Sequence, residues 1–248
     1  MQRYFASTAL LTTLAAPIFA HADISRSDQS VRILIEDTGP SGSYLEFSLA
    51  DISPEANTNT LTLENPLQDY NSFGFGYLTE LGDDITLAVI YDQPFGADTR
   101  YESGLPFFGG NAEITSDALT TLVHYQIDEQ ISIHGGLRAM QVEGSIYGSN
   151  STLGANLFGL LEADSDPGLG FVLGGAYEIP DIAMRVSLTY NSSIDLSFEG
   201  TETAFNPATG TAVAAASNSS FDVEFPDSIN LEFQTGMLTL HPTARPTI

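Results

Sequence analysis

Apolar and polar positions alternate with a period of two along most of the chain, most clearly from Ala118 to Met140. Leu119, Thr121, Val123, Tyr125 and Ile127 fall on one face. Ala118, Thr120, His124 and Gln126 fall on the other, with Leu122 as the one apolar intruder. Asp128, Glu129 and Gln130 interrupt the pattern. It restarts with Ile131, Ile133, Leu137 and Ala139 against Ser132, His134 and Arg138. Successive side chains of a strand point to opposite faces, so this stretch predicts two strands and a tight turn. With that turn, His124 and His134 are cross-strand neighbours on the polar face.

The same period predicts six more strands. Ser43–Ile52 sets Leu45, Phe47 and Leu49 against Tyr44, Glu46 and Ser48. Tyr70–Leu78 sets Phe73, Phe75 and Tyr77 against Ser72, Gly74 and Gly76. Ile85–Tyr91 and Leu169–Ile179 follow the same rule. A long run from Ile182 keeps one parity through Met184, Val186, Leu188, Tyr190, Ile194, Leu196 and Phe198, with only Ser192 interrupting. The last strand is Phe221–Gly236. Val31, Ile33 and Ile35 make one short alternating piece in the N-terminal segment, which reads as partly extended. Leu153–Leu161 is apolar and reads as a short helix inside the connection 143–166.

Long connections follow the first, third, fifth and seventh of these strands; short turns follow the second, fourth and sixth. Outer-membrane barrels sort their loops this way, with short periplasmic turns and long external loops. Arg138 and Arg185 both fall on the polar face of their strands, where neither meets lipid. Tyr77, Tyr125 and Tyr177 precede the three short turns on the apolar face, and Tyr91 and Tyr190 lie on that face towards the long loops. Two levels of amphipathic rings match two membrane interfaces. The prediction is an all-β fold, an antiparallel transmembrane β-barrel wall of eight strands over 43–236, with its apolar face on lipid. A strand crosses a bilayer in ~9–11 residues. The seventh and eighth strands are longer, so the wall is expected to project past the membrane on the long-loop side.

Composition adds bounds. The chain has 248 residues, 32 acidic against 7 basic, and a formal charge of -25. That charge argues against nucleic acid as a partner, since phosphate binding needs a basic surface. There is no Cys, hence no disulfide or thiolate metal site. Residues 1–22 combine Arg3, an apolar run Ala9–Phe19 and an Ala20-His21-Ala22 cleavage pattern, and so read as a secretory signal peptide. The mature chain then starts at Asp23, with 23–42 as a short periplasmic or lumenal segment.

Several stretches carry a family resemblance. Tyr91-Asp92-Gln93-Pro94-Phe95-Gly96-Ala97-Asp98-Thr99-Arg100-Tyr101 resembles an aromatic-x-x-Pro-Phe-Gly-x-x-Thr-x-Tyr signature. Asp23–Val31, Arg185–Tyr190 and Pro226–Gly236 resemble the mature N-terminus and two later strands of the same family, the FadL/TodX-type outer-membrane long-chain fatty acid transporters of Gram-negative bacteria. The resemblance implies a 14-stranded monomeric barrel, a plug formed by an N-terminal hatch, passive diffusion of hydrophobic substrate from an external groove through a lumenal pocket, and a sideways exit at a kinked strand. It also implies outer-membrane lipid, lipopolysaccharide and the barrel-assembly machinery as partners, and neither an enzyme activity nor a cofactor. Two features depart from it. The usual Asn-Pro-Ala hatch element is not found between Asp23 and Gly42, so any plug is smaller or differently built. After Gly236 the pattern gives way to a non-family tail, 237–248, with Pro242 and Pro246. The chain thus resembles the N-terminal part of a member, which would either leave sheet edges unpaired or close as a smaller barrel.

Fatty acid transport needs an apolar track and a partner for the carboxylate. The apolar candidates are Phe95, Tyr101, Leu105, Phe107 and Phe108 in one loop and Leu157 and Phe158 in the next. Exposed apolar clusters mark binding sites, and loops packed on one another give the same pattern. Arg100, Arg138 and Arg185 are the available cations. Arg clamps a carboxylate with two parallel hydrogen bonds, but a lumenal salt bridge with one of the many acids is the favoured reading of such residues. His124 and His134 are two metal-type ligands where zinc takes three or four, so no metal is assigned. Adjacency of Ser132, His134 and Asp128 is no evidence of a hydrolase triad. The rival to transport is a small structural or adhesive outer-membrane barrel.

Overall fold

The computed structural model describes residues 31–55, 65–101, 110–149, 158–206, 208–213 and 216–235. The expected signal peptide 1–22, the expected tail 237–248, and Leu105, Phe107, Phe108 and Leu157 lie outside them.

Thirteen strands form one antiparallel sheet. They are β1 (Ser43–Ile52), β2 (Tyr70–Glu80), β3 (Ile85–Asp92), β4 (Gly96–Arg100), β5 (Asn111–Gln126), β6 (Ile131–Ser149), β7 (Phe158–Ser165), β8 (Gly168–Ile179), β9 (Met184–Asn191), β10 (Ile194–Asn206), β11 (Thr211–Ala212), β12 (Ser217–Phe225) and β13 (Ser228–Thr235). β3 and β4 both pair with β5, and β7 and β8 both pair with β6. β9 and β10 pair with β13 and β12. Each of these couples is therefore one wall strand broken once. With β1, β2, β5 and β6 they make the eight expected wall strands, and β11 is a two-residue ribbon on β10.

The breaks have local causes. Proline removes a ladder donor and is confined to edges and bulges. Pro94, Pro167 and Pro226 stand in three of the four breaks. In the fourth, Ser192 replaces ladder bonds with its side chain: its Oγ accepts the Phe171 N–H at 2.8 Å, while its own N–H donates to Phe171 O at 2.9 Å.

At all four breaks the faces exchange. Met140 pairs with Gly168 but Glu143 with Asp164, so one extra residue is spent at Asp166–Pro167. A slip of one residue turns every following side chain to the other face. Below the breaks Val172, Ala176, Arg185, Ser187, Thr189 and Asn191 are buried inward. Above them Ala163, Ile194, Leu196 and Phe198 are buried inward instead. The constant parity expected through Phe198 is thus corrected: Ile194, Leu196 and Phe198 face the interior, not lipid. The last strand is likewise not continuous, being cut at Pro226–Asp227.

The wall consequently has two tiers of opposite polarity. The lower tier exposes Leu119, Val123, Leu137, Leu169, Phe171, Leu173, Leu188, Ile229 and Leu231 outward, with Leu137 at 63% and Leu169 at 71%. A contiguous apolar face of this extent requires lipid. The upper tier exposes Glu143, Glu162, Asp164, Asp195, Glu199, Asp222 and Glu224 outward and buries an apolar cluster of Ala118, Met140, Val142, Ala163, Ile194, Leu196 and Phe198. That is the arrangement of a sheet in water, so the line of breaks marks the level where the bilayer ends.

Three local expectations change. Phe158–Ser165 is a strand, not part of a helix; Leu160 and Leu161 are both half-buried, so the apolar run serves two faces of a sheet. β5 begins at Asn111 and β6 reaches Ser149, which shortens two of the long connections. The N-terminal piece is a short 3-10 turn, Arg32–Ile35, rather than extended. Among the described residues β1 pairs only with β2, and β12 and β13 pair only with β10 and β9. The wall is open there, and closure as a smaller barrel is not found.

Candidate functional site

The strand register lays out the inner face as rows. One row reads Tyr44, Leu78, Ala88, Leu122, Gly136, Val172 and Asn191 across β1, β2, β3, β5, β6, β8 and β9. Its centre is apolar, where a water-filled pore would carry polar groups. Val31, Ile33 and Leu34 fill the space against it: they form one buried cluster with Leu78, Ala88, Leu122 and Val172. Fully burying such a side chain stabilises by about 1.5–3 kcal/mol, which suffices to dock a four-residue turn that has little intrinsic stability. Gly76, one row up, leaves room for Ile33; a Cβ there would stand 2.4 Å from Ile33 Cδ1.

The row above reads Glu46, Gly76, Ile90, Thr120, Arg138 and Gly170. Arg138 is 6% exposed. Its Nε donates to Thr120 Oγ1 at 2.9 Å and its Nη1 to Asn191 Oδ1 at 3.3 Å. Gly170 opposite leaves β8 bare, so the side chain passes over it to reach β9. Asn191 Nδ2 donates in turn to Ser228 Oγ at 3.2 Å. The guanidinium is thus bonded to oxygens from β5 and β9, and the Asp92 carboxylate on the same inner face of β3 interacts with its charge.

Between the 3-10 turn and the wall lies a cavity of about 350 Å³. Val31, Ile33, Ile90, Leu122 and Val172 supply apolar walls; Arg138, Asp92, Thr120, Asn191 and Glu46 supply the polar ones. A largely apolar pocket with a few convergent polar groups is the form small-molecule sites take. Above it, Phe95 and Phe225 meet across the concave side with ring centroids 4.9 Å apart. Phe95 is held there because Ser116 Oγ bonds both its N–H and its carbonyl at 2.8 Å.

A family model described as outer membrane protein transport protein (OMPP1/FadL/TodX) matches residues 50–239. The chain belongs to this family. A crystal structure of a Pseudomonas aeruginosa FadL homologue matches with a TM-score of 0.57 at 12% identity, covering 79% of this chain and 56% of that one. A structure titled CymD monoaromatic hydrocarbon channel matches with a TM-score of 0.46 at 17% identity, covering 77% and 53%. The chain thus spans little more than half the length of either. No curated protein matches. The first likeness shows the fold, the wall of an outer-membrane barrel.

In this FadL/TodX-family wall the residues expected from sequence separate into levels. Arg138 lines the cavity. Phe95 stands above it. Arg100 ends β4 on the outside, exposed, and its N–H donates to Pro66 O at 2.7 Å. Tyr101 N–H donates to Gly110 O at 2.8 Å. Phe158 stacks on Tyr147 at 5.2 Å, high in the upper tier. Arg185 lies below the apolar row, in an ion pair with Glu178 at 3.3 Å, which is the salt-bridge reading of that residue. His124 and His134 face each other across β5 and β6, as the hairpin pattern predicts. Among the described residues no group of three or more metal-type ligands gathers.

Sequence reasoning missed Ile33, Thr120, Asn191 and Phe225. Thr120 was accessible, since it stands directly opposite Arg138 once the hairpin register is fixed. Asn191 was not, because it borders a break that no periodicity reveals.

Proposed function

We propose that this protein forms part of a conduit for hydrophobic compounds across the outer membrane, and that the compounds carry a carboxylate, as long-chain fatty acids do. One observation carries the reading: a cavity with apolar walls has a buried Arg, Arg138, at its edge, hydrogen-bonded to Thr120 and Asn191 and facing Asp92. The apolar walls take the hydrocarbon, and the guanidinium fork suits a carboxylate. Membership in a family of outer-membrane transport proteins supports the transport half. In this reading Phe95 with Phe225 forms the apolar approach from above, and Phe95, Tyr101, Leu105, Phe107, Phe108, Leu157 and Phe158 form an outer collecting surface. Arg100 attracts the acid there. Arg138 is the principal carboxylate partner, with Arg185 below it. The signal peptide 1–22 delivers the chain for export, and 23–42 serves as the plug segment.

The test is equilibrium binding of a radiolabelled long-chain fatty acid to the full chain refolded in detergent. Saturable binding is expected, weakened about tenfold by Arg138→Gln, since hydrogen bonds to charged groups contribute about 1.5–3 kcal/mol. Binding of the corresponding long-chain alcohol should change less in the same variant. No saturable binding at micromolar ligand would overturn the reading.

A further inference from the structure

Below the apolar row, the inner face carries an array of polar side chains with unused hydrogen-bonding capacity. The next row down contains Glu80, Thr86, His124, His134, Gly174, Thr189 and Asn230, and the one below it Gln126, Ser132, Ala176, Ser187 and Glu232. Arg185 follows one step lower, beside Glu178. His124 is 6%, Ser132 1%, His134 4% and Arg185 7% exposed. Yet His124 Nε2, Ser132 Oγ, His134 Nδ1 and Arg185 Nη2 have no hydrogen-bond partner among the described residues. Buried polar atoms are almost always paired, and each orphan costs about 1–3 kcal/mol. Four orphans in adjoining rows are not scattered defects.

Two of the groups are fixed by their surroundings. His134 is oriented from behind by a 3.0 Å contact between its Nε2 and Thr189 Oγ1, which leaves Nδ1 free. Gly174 makes room for the ring: a Cβ there would lie 2.4 Å from His134 Nε2. The Arg185 ion pair engages Glu178 at 3.3 Å without satisfying Nη2. The open positions are rich in donors, since a guanidinium only donates and a hydroxyl and imidazoles can do so. Such a set takes an oxygen acceptor.

We infer that His124, Ser132, His134 and Arg185 form a second head-group site, on the periplasmic side of the apolar row, for the carboxylate of the transported compound. The inference rests on the functional reading given above. It adds that the ligand has two polar stations separated by the Leu78–Ala88–Leu122–Val172 row. The acids facing the lower station, Glu178 and Glu232, compete for Arg185, as Asp92 does for Arg138 at the upper one. Conduction requires sites that bind well enough to be entered and weakly enough to be left, and two stations in series meet that requirement.

The experiment uses the full chain in detergent micelles with its histidine rings labelled with nitrogen-15, and octanoate as the probe. Octanoate should shift the ring signals of His124 and His134 saturably, each assigned by its His→Gln variant, and 1-octanol should leave them in place. Arg185→Gln should weaken this response about tenfold. Arg138→Gln should leave the rings responsive, because it acts on the other station. Ser132→Ala removes a hydroxyl with no partner to lose, and it should also weaken the response. Rings that do not move while octanoate binds through Arg138 overturn the second station and spare the functional reading. Rings that respond when Arg138→Gln has no effect on binding anywhere spare the station and overturn the role of Arg138. A response unchanged in Arg185→Gln overturns the station. If Arg185→Gln does not fold, an unchanged response in Ser132→Ala does so.

Discussion

Asn191 and Ile194 lie three residues apart along one wall strand, and both point inward, 5% and 4% exposed. In an unbroken strand an odd separation would put them on opposite faces. The Ser192–Ser193 break removes that constraint, and with it the wall changes from a lipid-facing to a water-facing construction. The consequence can be read by labelling, because the chain has no cysteine of its own. In liposomes, Asp195→Cys should react with a membrane-impermeant maleimide added outside. Leu188→Cys, on the apolar outer face below the break and 54% exposed to that face, should react only after detergent is added. Equal reactivity of both positions would show that the bilayer does not end at the line of breaks.

Leu137 offers the complementary measurement on the lipid face. It stands between Thr121 and Phe171 on the outer side of the lower tier, 63% exposed. An Arg at the bilayer midplane of an outer-membrane barrel costs about 2–4 kcal/mol, and less towards the interfaces. Leu137→Arg is expected to lose an amount in that range when refolding into vesicles is titrated with urea. A loss under about 0.5 kcal/mol would place this position at an interface instead.

How much of this was legible follows from where the period is intact. The Ala118–Met140 hairpin has no break, and its register, turn and faces came directly from alternation, down to the pairing of His124 with His134. The seventh strand also alternates, but apolar residues at Tyr190 and Ile194 share a parity across Ser192, and serine fits either face. Nothing local marked the exchange. The outward acids Asp195 and Glu199 are its trace, visible once the tier above the bilayer is known to face water. The Val31–Leu34 turn was illegible for another reason. A single 3-10 turn is held by what it packs against, and Leu78, Ala88, Leu122 and Val172 come from strands distant in sequence. For the site, parity alone put Arg138 inside, while the cavity around it depends on that docking.

Gly136 tests how tightly the inner face is drawn. A Cβ at this position would lie 1.9 Å from the Thr121 carbonyl oxygen and 2.9 Å from Leu122 Cα. Both are backbone atoms of the paired strand, so no side chain can turn aside. Overpacking costs about 1–3 kcal/mol where neighbours can adjust. Gly136→Ala should reach or exceed the upper end, seen as a lowered urea midpoint or a failure to refold. Gly82, in the turn after β2 with nothing within 4 Å of an added Cβ, is the control. Gly82→Ala should fall within about 0.5 kcal/mol of the parent, as surface substitutions do.

Gly76 and Ile33 decide whether the N-terminal turn occupies the wall by shape. An added Cβ at Gly76 meets the tip of the Ile33 side chain at 2.4 Å, and a flexible tip can move. Gly76→Ala is therefore expected to shift Ile33 and keep the turn docked. The branched side chain of Gly76→Val fills the same space more fully, so Ile33 must leave the cluster it shares with Val31 and Leu34. Releasing it forfeits about 1.5–3 kcal/mol of burial. The readout is trypsin cleavage after Arg32, whose side chain is 62% exposed even when the turn is docked. Cleavage needs the chain around it to open, so it follows the population of the undocked form. Gly76→Val should be cut at least about tenfold faster than the parent, the change that 1.4 kcal/mol gives. Gly76→Ala should differ by less. Equal cleavage in all three proteins would show that Val31–Leu34 is not held by the fit of Ile33 against Gly76.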